Sequence, residues 1–308
     1  MPITVKQREQ RRRHIGSSDA PVICGMSPYK TTMADIFYQK MGSDADIEVT
    51  EAMKAGNRLE PAIIDYVCEV LGVESHRSNL SRISGDFRDK GICSANFDSW
   101  IRGRPREAIE AKYVGPAFAD DWGEPGTDQV PEHVIVQTQH QMYVADLDRV
   151  YVGAAIARYR LEWAYYVVER HDGIINAMVD QETAFWRNHV LPKIPPEDSL
   201  PSVEILKALD RTPDKIVDID SAIVTRWDTL RELRLGAERA EKAAMVILLN
   251  ELGDAEAGDY GNPDRYFTYL PQKSTPVADM VALKRDGLYD KYVTQGTHRT
   301  ARIKKRGK

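Results

Sequence analysis

Two short apolar segments joined by a turn constrain this chain more than any other stretch of it. Phe97-Asp98-Ser99-Trp100-Ile101 reads as a strand. Residues 102–107, RGRPRE, carry the Gly and Pro of a turn, and residues 108–114, AIEAKYV, read as the returning strand. Strand side chains alternate between faces, so Glu110 and Lys112 share one face while Ile109, Ala111 and Tyr113 share the other. The apolar face is fit to pack on a core and the charged face to line a cleft, with Asp98 brought alongside from the first strand. A carboxylate pair at a strand edge is a site for a hard divalent cation with oxygen ligands, chiefly Mg²⁺ or Mn²⁺. An adjacent lysine can hold or polarise the attacking water, and the spacing suits phosphodiester hydrolysis. A Glu-x-Lys triplet alone is common on solvated faces, so the reading depends on what accompanies it.

The 308 residues are 42% hydrophobic, enough for a large core. No run of apolar residues is long enough to span a membrane. The N-terminal MPITVKQREQRRRH is polar and basic, with no apolar run behind it, and does not read as a secretory signal. Cys24, Cys68 and Cys93 are far apart and form no Cys-x-x-Cys, which argues against a zinc ribbon, an iron–sulfur cluster or a disulfide framework and fits a reducing cytoplasm. The net charge of −5 argues mildly against a nucleic-acid partner. Its distribution matters more: Arg11, Arg12 and Arg13 form a basic knot, and the chain ends on RTARIKKRGK. Both basic ends also read as solvated arms.

Along the chain, IGSSDAPVICG reads as a loop entering a short helix capped by Ser17, Ser18 or Asp19, and SPYKTTMADIFYQKMG as a second helix started by Ser27-Pro28. Residues 50–71 have helical spacing, with Pro61 expected to kink or restart the helix just after Glu60. Residues 115–131, rich in Gly, Pro and Asp, predict a mobile loop beside the cleft. A helix over 131–147, a strand pair over 149–157 and 161–169, and a helix ending before Pro192 follow. This order predicts an α/β class, a mixed sheet flanked by helices. A composition break falls at Ile194-Pro195-Pro196. Beyond it, residues 219–253 read as a long charged amphipathic helix with Leu230, Leu233, Ala237, Ala240, Ala244 and Ile247 at helical intervals, then a turn from Gly258 to Pro263, a strand in RYFTYL and a final helical stretch.

Three more segments accompany the strand pair. Glu60 lies on a helix in GNRLEP, where Gly56 allows a close backbone approach. Gln139 lies in VQTQHQMYVA with Tyr143 one turn later. Ser18 follows the basic cluster in RRRHIGSSDA. Taken singly these read as an exposed carboxylate, a polar stripe and a helix cap. Taken in order, IGSSDAPVICGMSPYKT, GNRLEP, SANFDSWI, AIEAKY, VQTQHQMYVA and FWRNHV resemble the YqaJ-type phage recombination nucleases, relatives of phage lambda exonuclease in the PD-(D/E)xK superfamily. The resemblance runs from about Arg11 to about Leu191.

The resemblance implies a restriction-endonuclease-like core over 1–194, a helical insertion over 195–260, and a C-terminal strand and helix over 261–308 that return to the core and end in the basic tail. It implies Asp98 and Glu110 as primary metal ligands, joined by the Ala111 backbone carbonyl, and Lys112 as the lysine near the nucleophilic water. It makes Glu60 the helical acid supporting the metal, and Gln139 the glutamine at the active-site edge. It assigns Arg11, Arg12, Arg13 and Ser18 to a DNA phosphate. One departure is Asn96, which stands where the family often has a phosphate-contacting serine. The implied activity is Mg²⁺-dependent, 5′ to 3′ digestion of linear duplex DNA that exposes 3′ single strands for an annealing protein, in a bacterial cytoplasm, with assembly as a trimeric ring. Two rivals stand beside it: an endonuclease of the same superfamily, and a DNA-binding or assembly protein that has lost its chemistry.

Overall fold

The computed structural model describes residues 5–43, 50–77, 81–85, 91–197, 199–209, 211–213, 215–262, 265–271 and 279–292. The basic C-terminal tail lies outside them. The chain divides into two compact units, Met1–Pro213 and Asp214–Lys308. Residues 199–202, which the sequence reading put in the insertion, hydrogen-bond within the first unit: Ser199 Oγ accepts Ala34 N–H, the Leu200 carbonyl accepts the Thr32 hydroxyl, and Ser202 N–H donates to Asp35 Oδ1.

The first unit begins with α1 (Val5–Arg13), β1 (Ile15–Gly16), α2 (Ala20–Ile23), α3 (Met33–Lys40) and α4 (Glu51–Leu71). Short strands β2 (Ser75–His76), β3 (Arg82–Ile83), β4 (Cys93–Ala95) and β5 (Ser99–Ile101) lead into β6 (Glu107–Val114). Then come α5 (Glu132–Ala145), β7 (Arg149–Ala157), β8 (Leu161–Glu169), α6 (Asp172–Phe185) and α7 (Val203–Ala208). Among the described residues a five-stranded mixed sheet runs β2-β5-β6-β7-β8, parallel only between β6 and β7, and a smaller one runs β1-β4-β3. The mixed α/β architecture expected from the sequence is therefore present.

Alternation along β6 and β7 divides the core between two helices. Ala108, Val114, Val150, Val152, Ala154 and Ile156 pack with Val134, Val136 and Met142 of α5. Ile109 and Tyr151, on the opposite face, pack with Ile64 and Val67 of α4, each buried aliphatic side chain contributing about 2 kcal/mol. Gly153 makes this second contact close: a Cβ there would lie 2.6 Å from Ile63 Cγ2 and 2.7 Å from Val67 Cγ2. The α4 helix is therefore pressed onto the strand pair that carries the charged residues.

Several local expectations are corrected. Pro61 does not interrupt α4, which is one 21-residue helix from its Thr50 cap. The proline is exposed, and so is Asn57, whose carbonyl loses the intrahelical donor there. The third helix starts not at Ser27-Pro28 but at Thr32, whose hydroxyl accepts Asp35 N–H while Asp35 Oδ2 accepts Thr32 N–H, a reciprocal capping box. The loop over 115–131 is pinned: Trp122 is buried against Tyr166, Gly126 N–H donates to the Tyr165 carbonyl, and Val167 N–H donates to the Thr127 carbonyl.

A buried polar cluster ties α5 to α6 and β4. His140 Nδ1 lies 2.7 Å from Glu182 Oε1 and Nε2 lies 3.0 Å from the Ser94 carbonyl; Cys93 Sγ donates to Glu182 Oε2 at 3.3 Å. Both ring nitrogens face acceptors, so the ring carries both protons as an imidazolium. Burial lowers the His140 pKa, but the Glu182 charge and hydrogen bond and the Ser94 carbonyl outweigh it, and the net shift is upward. The stability this adds is complete below the ordinary value of 6.5 and is lost as pH rises through the higher folded value.

The second unit contains α8 (Ser221–Leu252), β9 (Ala257–Asn262), β10 (Arg265–Thr268), α9 (Met280–Arg285) and α10 (Tyr289–Tyr292). β9 and β10 pair antiparallel, so the stretch read as a turn from Gly258 is a strand as far as Asn262.

Glu182→Gln is expected to cost about 3 kcal/mol in urea unfolding, since it leaves a buried cation without its counter-ion. The difference from wild type should be largest below about pH 6.5 and shrink at higher pH. Equal urea midpoints at acidic pH would count against the buried ion pair.

Candidate active site

The two strands meet as their residues dictate. Ser99 pairs with Ile109 and Trp100 with Ala108, and extending that register by one residue sets Asp98 opposite Glu110. Asp98 Oδ2 accepts the Ala111 N–H at 2.8 Å. Glu110 is only 6% exposed. Its Oε1 accepts from Lys112 Nζ at 2.8 Å and from Gln137 Nε2 at 2.7 Å, and its Oε2 accepts from Gln141 Nε2 at 2.7 Å. Lys112 Nζ also donates to Gln137 Oε1 at 2.7 Å, closing a three-membered ring of hydrogen bonds. Gln141 Nε2 reaches the Asn96 carbonyl as well, at 3.3 Å, while its Oε1 is buried without a hydrogen-bond partner.

An open pocket is lined by Asp98, Glu110 and Gln137 on one side and by Arg11, Ser18 and Asn96 around the rest. The arrangement of the basic side depends on Lys40. Its buried ammonium donates to the Arg11 carbonyl at 2.7 Å, to the His14 carbonyl at 2.7 Å and to Asp19 Oδ2 at 2.5 Å, so all three of its protons are used. Asp19 Oδ2 also accepts the Gly16 N–H at 3.0 Å. Burial pushes the Asp19 pKa up, but Lys40 and the Gly16 N–H outweigh it and the net shift is downward. This ion pair holds the end of α1 beside the loop that carries Ser18.

The electrostatics of the acidic side are opposed. Burial, followed by the neighbouring Glu110 carboxylate, raises Asp98 to about 8, against the lowering effects of the Ala111 N–H and Lys112; the Glu60 charge adds to the rise. Burial pulls Lys112 down, but the Glu110 charge and hydrogen bond and the Asp98 charge outweigh it, and its pKa moves up. Lys112 is thus held as an ammonium against the Glu110 carboxylate, and Asp98 keeps its proton unless a cation compensates its charge.

The residues singled out in the sequence fall into two groups. Asp98, Glu110, Arg11 and Ser18 line the pocket, Lys112 is hydrogen-bonded to Glu110 without lining it, and Glu60, on α4, acts on Asp98 through its charge while pairing with Arg77 at 3.0 Å. Ala111 contributes its N–H. Arg12 and Arg13 do not line the pocket; Arg12 Nη2 donates to the Gly42 carbonyl at 3.3 Å and Arg13 is exposed at the end of α1. Gln139 is turned away. Its Nε2 donates to the Glu169 carbonyl at 2.7 Å and its Oε1 accepts His171 N–H at 2.9 Å, so it fastens the junction of β8 and α6. Gln137 and Gln141 flank Glu110 instead, and their spacing of four places them on one helix face.

The oxygen donors of Asp98 and Glu110 suit a hard dication: the pair is buried, would carry one negative charge more than Lys112 balances once both carboxyls ionise, and leaves Gln141 Oε1 unpaired beside it. A second cluster of ligand-type side chains among the described residues, Cys93, His140 and Glu182, has its donor atoms within 4.8 Å of one another. There the imidazolium already serves as the cation, with both nitrogens engaged. No described helix is long and apolar enough to cross a membrane.

Residues 7–148 match the family described as the YqaJ-like viral recombinase domain. The protein YqaJ of Bacillus subtilis (strain 168) is 25% identical over 268 residues, which is 82% of this chain and 79% of YqaJ. Two solved structures are similar in part. The alkaline exonuclease LHK-Exo from Laribacter hongkongensis gives a TM-score of 0.49 at 18% identity, covering 62% of this chain and 94% of its own. A phage related exonuclease from Haemophilus somnus 129PT gives 0.45 at 13% identity, covering 57% and 93%. The strand pair, α5 and the residues that line the pocket all lie inside the matched stretch.

Proposed function

We propose that this chain is a divalent-metal-dependent DNA nuclease, an exonuclease of phage-type recombination that enters at linear duplex ends and degrades one strand 5′ to 3′. The supporting observation is a carboxylate pair, Glu110 locked to Lys112, lining an open pocket that Arg11 and Ser18 also line. A protein that only bound DNA would be weakened by buried acids facing the phosphates. The family match agrees with a role in viral recombination.

Asp98 and Glu110 would hold the ion, with Glu60 behind them. Bound there, Mg²⁺ or Mn²⁺ supplies charge neutralisation at the scissile phosphate and lowers the pKa of a water. The chain's own groups do the rest. Glu110 is oriented by three donors, so its carboxylate cannot rotate out of the site. Lys112 stays cationic, which suits it to orient a water and offset developing charge rather than to accept a proton. Gln137 fixes both residues at once. Arg11 and Ser18 present a cation and a hydroxyl to a DNA phosphate, and Asn96, on the same pocket, offers an amide to it. The exposed 3′ strand would then pass to an annealing protein.

The substrate test gives the protein 5′-phosphorylated linear duplex, 5′-hydroxyl linear duplex and closed circles with Mg²⁺. Mononucleotides from linear DNA with 5′ label lost first and circles intact are expected. Cut circles would instead establish an endonuclease, and no cleavage of any substrate would leave a binding protein.

Lys112→Ala and Glu110→Gln are each expected to lower cleavage by about 100-fold or more while duplex binding stays near wild type. Cleavage within a few-fold of wild type by either variant would refute these roles.

Asp98 also predicts a pH dependence. Folded, it keeps its proton up to about 8, and its ordinary value is 3.8. Folding therefore takes up a proton across that window, and the stability of the protonated form is lost as pH rises through it. In metal-free buffer Asp98→Asn should melt higher than wild type, by a margin that grows from about pH 4 to about pH 8 and then levels off. A margin independent of pH would contradict the buried, proton-bound carboxyl.

A further inference from the structure

Two carboxylates act on Asp98 through their charge, and each has a cation of its own. Glu110 accepts from Lys112 Nζ at 2.8 Å, and Glu60 pairs with Arg77 Nη2 at 3.0 Å. The two cations are held differently. Lys112 also donates to Gln137, which in turn donates to Glu110, so the ammonium is locked in a ring. Arg77 has the Glu60 pair as its one polar side-chain contact among the described residues. Holding a long side chain by one contact costs side-chain entropy, so such a pair is weak. The fold nevertheless sets it beside the site. Ser75 pairs with Ile101 and His76 with Trp100, and one residue further Arg77 falls opposite Ser99, the neighbour of Asp98. Ser99 Oγ donates to the His76 carbonyl at 3.2 Å and fixes the end of β2. On α4, one turn before Glu60, Gly56 lies against β6: a Cβ there would be 3.7 Å from Tyr113 Cβ.

We propose that Arg77 is an exchangeable counter-cation: it neutralises Glu60 in the metal-free chain, gives Glu60 up to a bound dication, and then donates to a phosphate of the bound DNA. The inference rests on the reading of Asp98, Glu110 and Glu60 as a dication site for DNA cleavage. Its physics is competition for one carboxylate. A doubly charged hard ion that prefers oxygen ligands displaces a guanidinium held by a single contact. The guanidinium released beside the ion is repelled by it and needs another anion. A DNA phosphate supplies one, because carboxylate and phosphate fit the same planar fork of donors. The exchange spares the metal-free chain an uncompensated carboxylate and keeps Arg77 off DNA until the ion is in place. Ion and DNA then each strengthen the binding of the other. Lys112 cannot act this way, since Glu110 and Gln137 fix it.

Two double-mutant cycles on the full chain test this, with wild type, Arg77→Gln, Glu60→Gln and the double variant. The first measures binding of a labelled duplex by fluorescence anisotropy in EDTA. Arg77→Gln alone should stay within about twofold of wild type, because Arg77 is already engaged by Glu60. Glu60→Gln should bind about fivefold tighter with a salt slope steeper by about one, and the double variant should return to the wild-type value. The second follows Mn²⁺ binding without DNA by electron paramagnetic resonance. Arg77→Gln should tighten Mn²⁺ by about fivefold in the wild-type background and leave it unchanged in the Glu60→Gln background. An Arg77→Gln effect that is equal in both backgrounds or absent from both, in either cycle, would overturn the inference and leave the dication site standing. So would a Glu60→Gln gain in duplex binding that survives in the double variant. No Mn²⁺ uptake by any of the four proteins would refute the dication site itself, and the inference with it.

Discussion

The site depends on one costly juxtaposition, two carboxylates brought out of water side by side. The β5–β6 register sets Asp98 opposite Glu110, and the core on both faces of the sheet prevents either from moving away. Charge in that position is tolerated only with compensation. The protein offers part of it: the Ala111 N–H to Asp98, and Lys112, Gln137 and Gln141 to Glu110. The remainder appears as the raised pKa of Asp98, which makes the pocket receptive to a dication.

Packing away from the pocket serves that juxtaposition. Gly153 lets α4 lie close on the sheet, which brings Glu60 within electrostatic reach of Asp98. The His140–Glu182 pair clamps α5 to α6 and to the Ser94 carbonyl, and α5 is the helix that presents Gln137 and Gln141. On the opposite wall the buried Lys40–Asp19 pair positions the end of α1, and with it Arg11. Two ion pairs thus support one pocket, which Asp19 itself helps to line.

The acidic wall was legible in the sequence because its information is local. Strand alternation alone puts Glu110 and Lys112 on one face, and the Gly-Pro turn alone returns the chain to Asp98. The capping box at Thr32 and Asp35 was equally local, yet Ser27-Pro28 offered a competing helix start nearer the preceding glycine. Gln139 shows where locality ends. Gln137, Gln139 and Gln141 are equivalent by composition, and which of them faces Glu110 depends on the rotation of α5 against the sheet. The spacing of four between Gln137 and Gln141 was the available signal. The His140–Glu182 pair joins residues 42 apart in sequence and left no local trace. Pro61 misled for another reason: its propensity acts against a helix interior, but α4 gains more from burying Ile63, Ile64 and Val67 than one lost hydrogen bond on an exposed face removes.

The central claim is that Asp98 and Glu110 jointly capture a divalent cation. Electron paramagnetic resonance of free Mn²⁺, titrated into the full chain and into the Asp98→Asn and Glu110→Gln variants, tests it without any nucleic acid. Saturable binding to the wild-type chain and loss of that binding in each variant are expected. Equal Mn²⁺ uptake by all three proteins would contradict it.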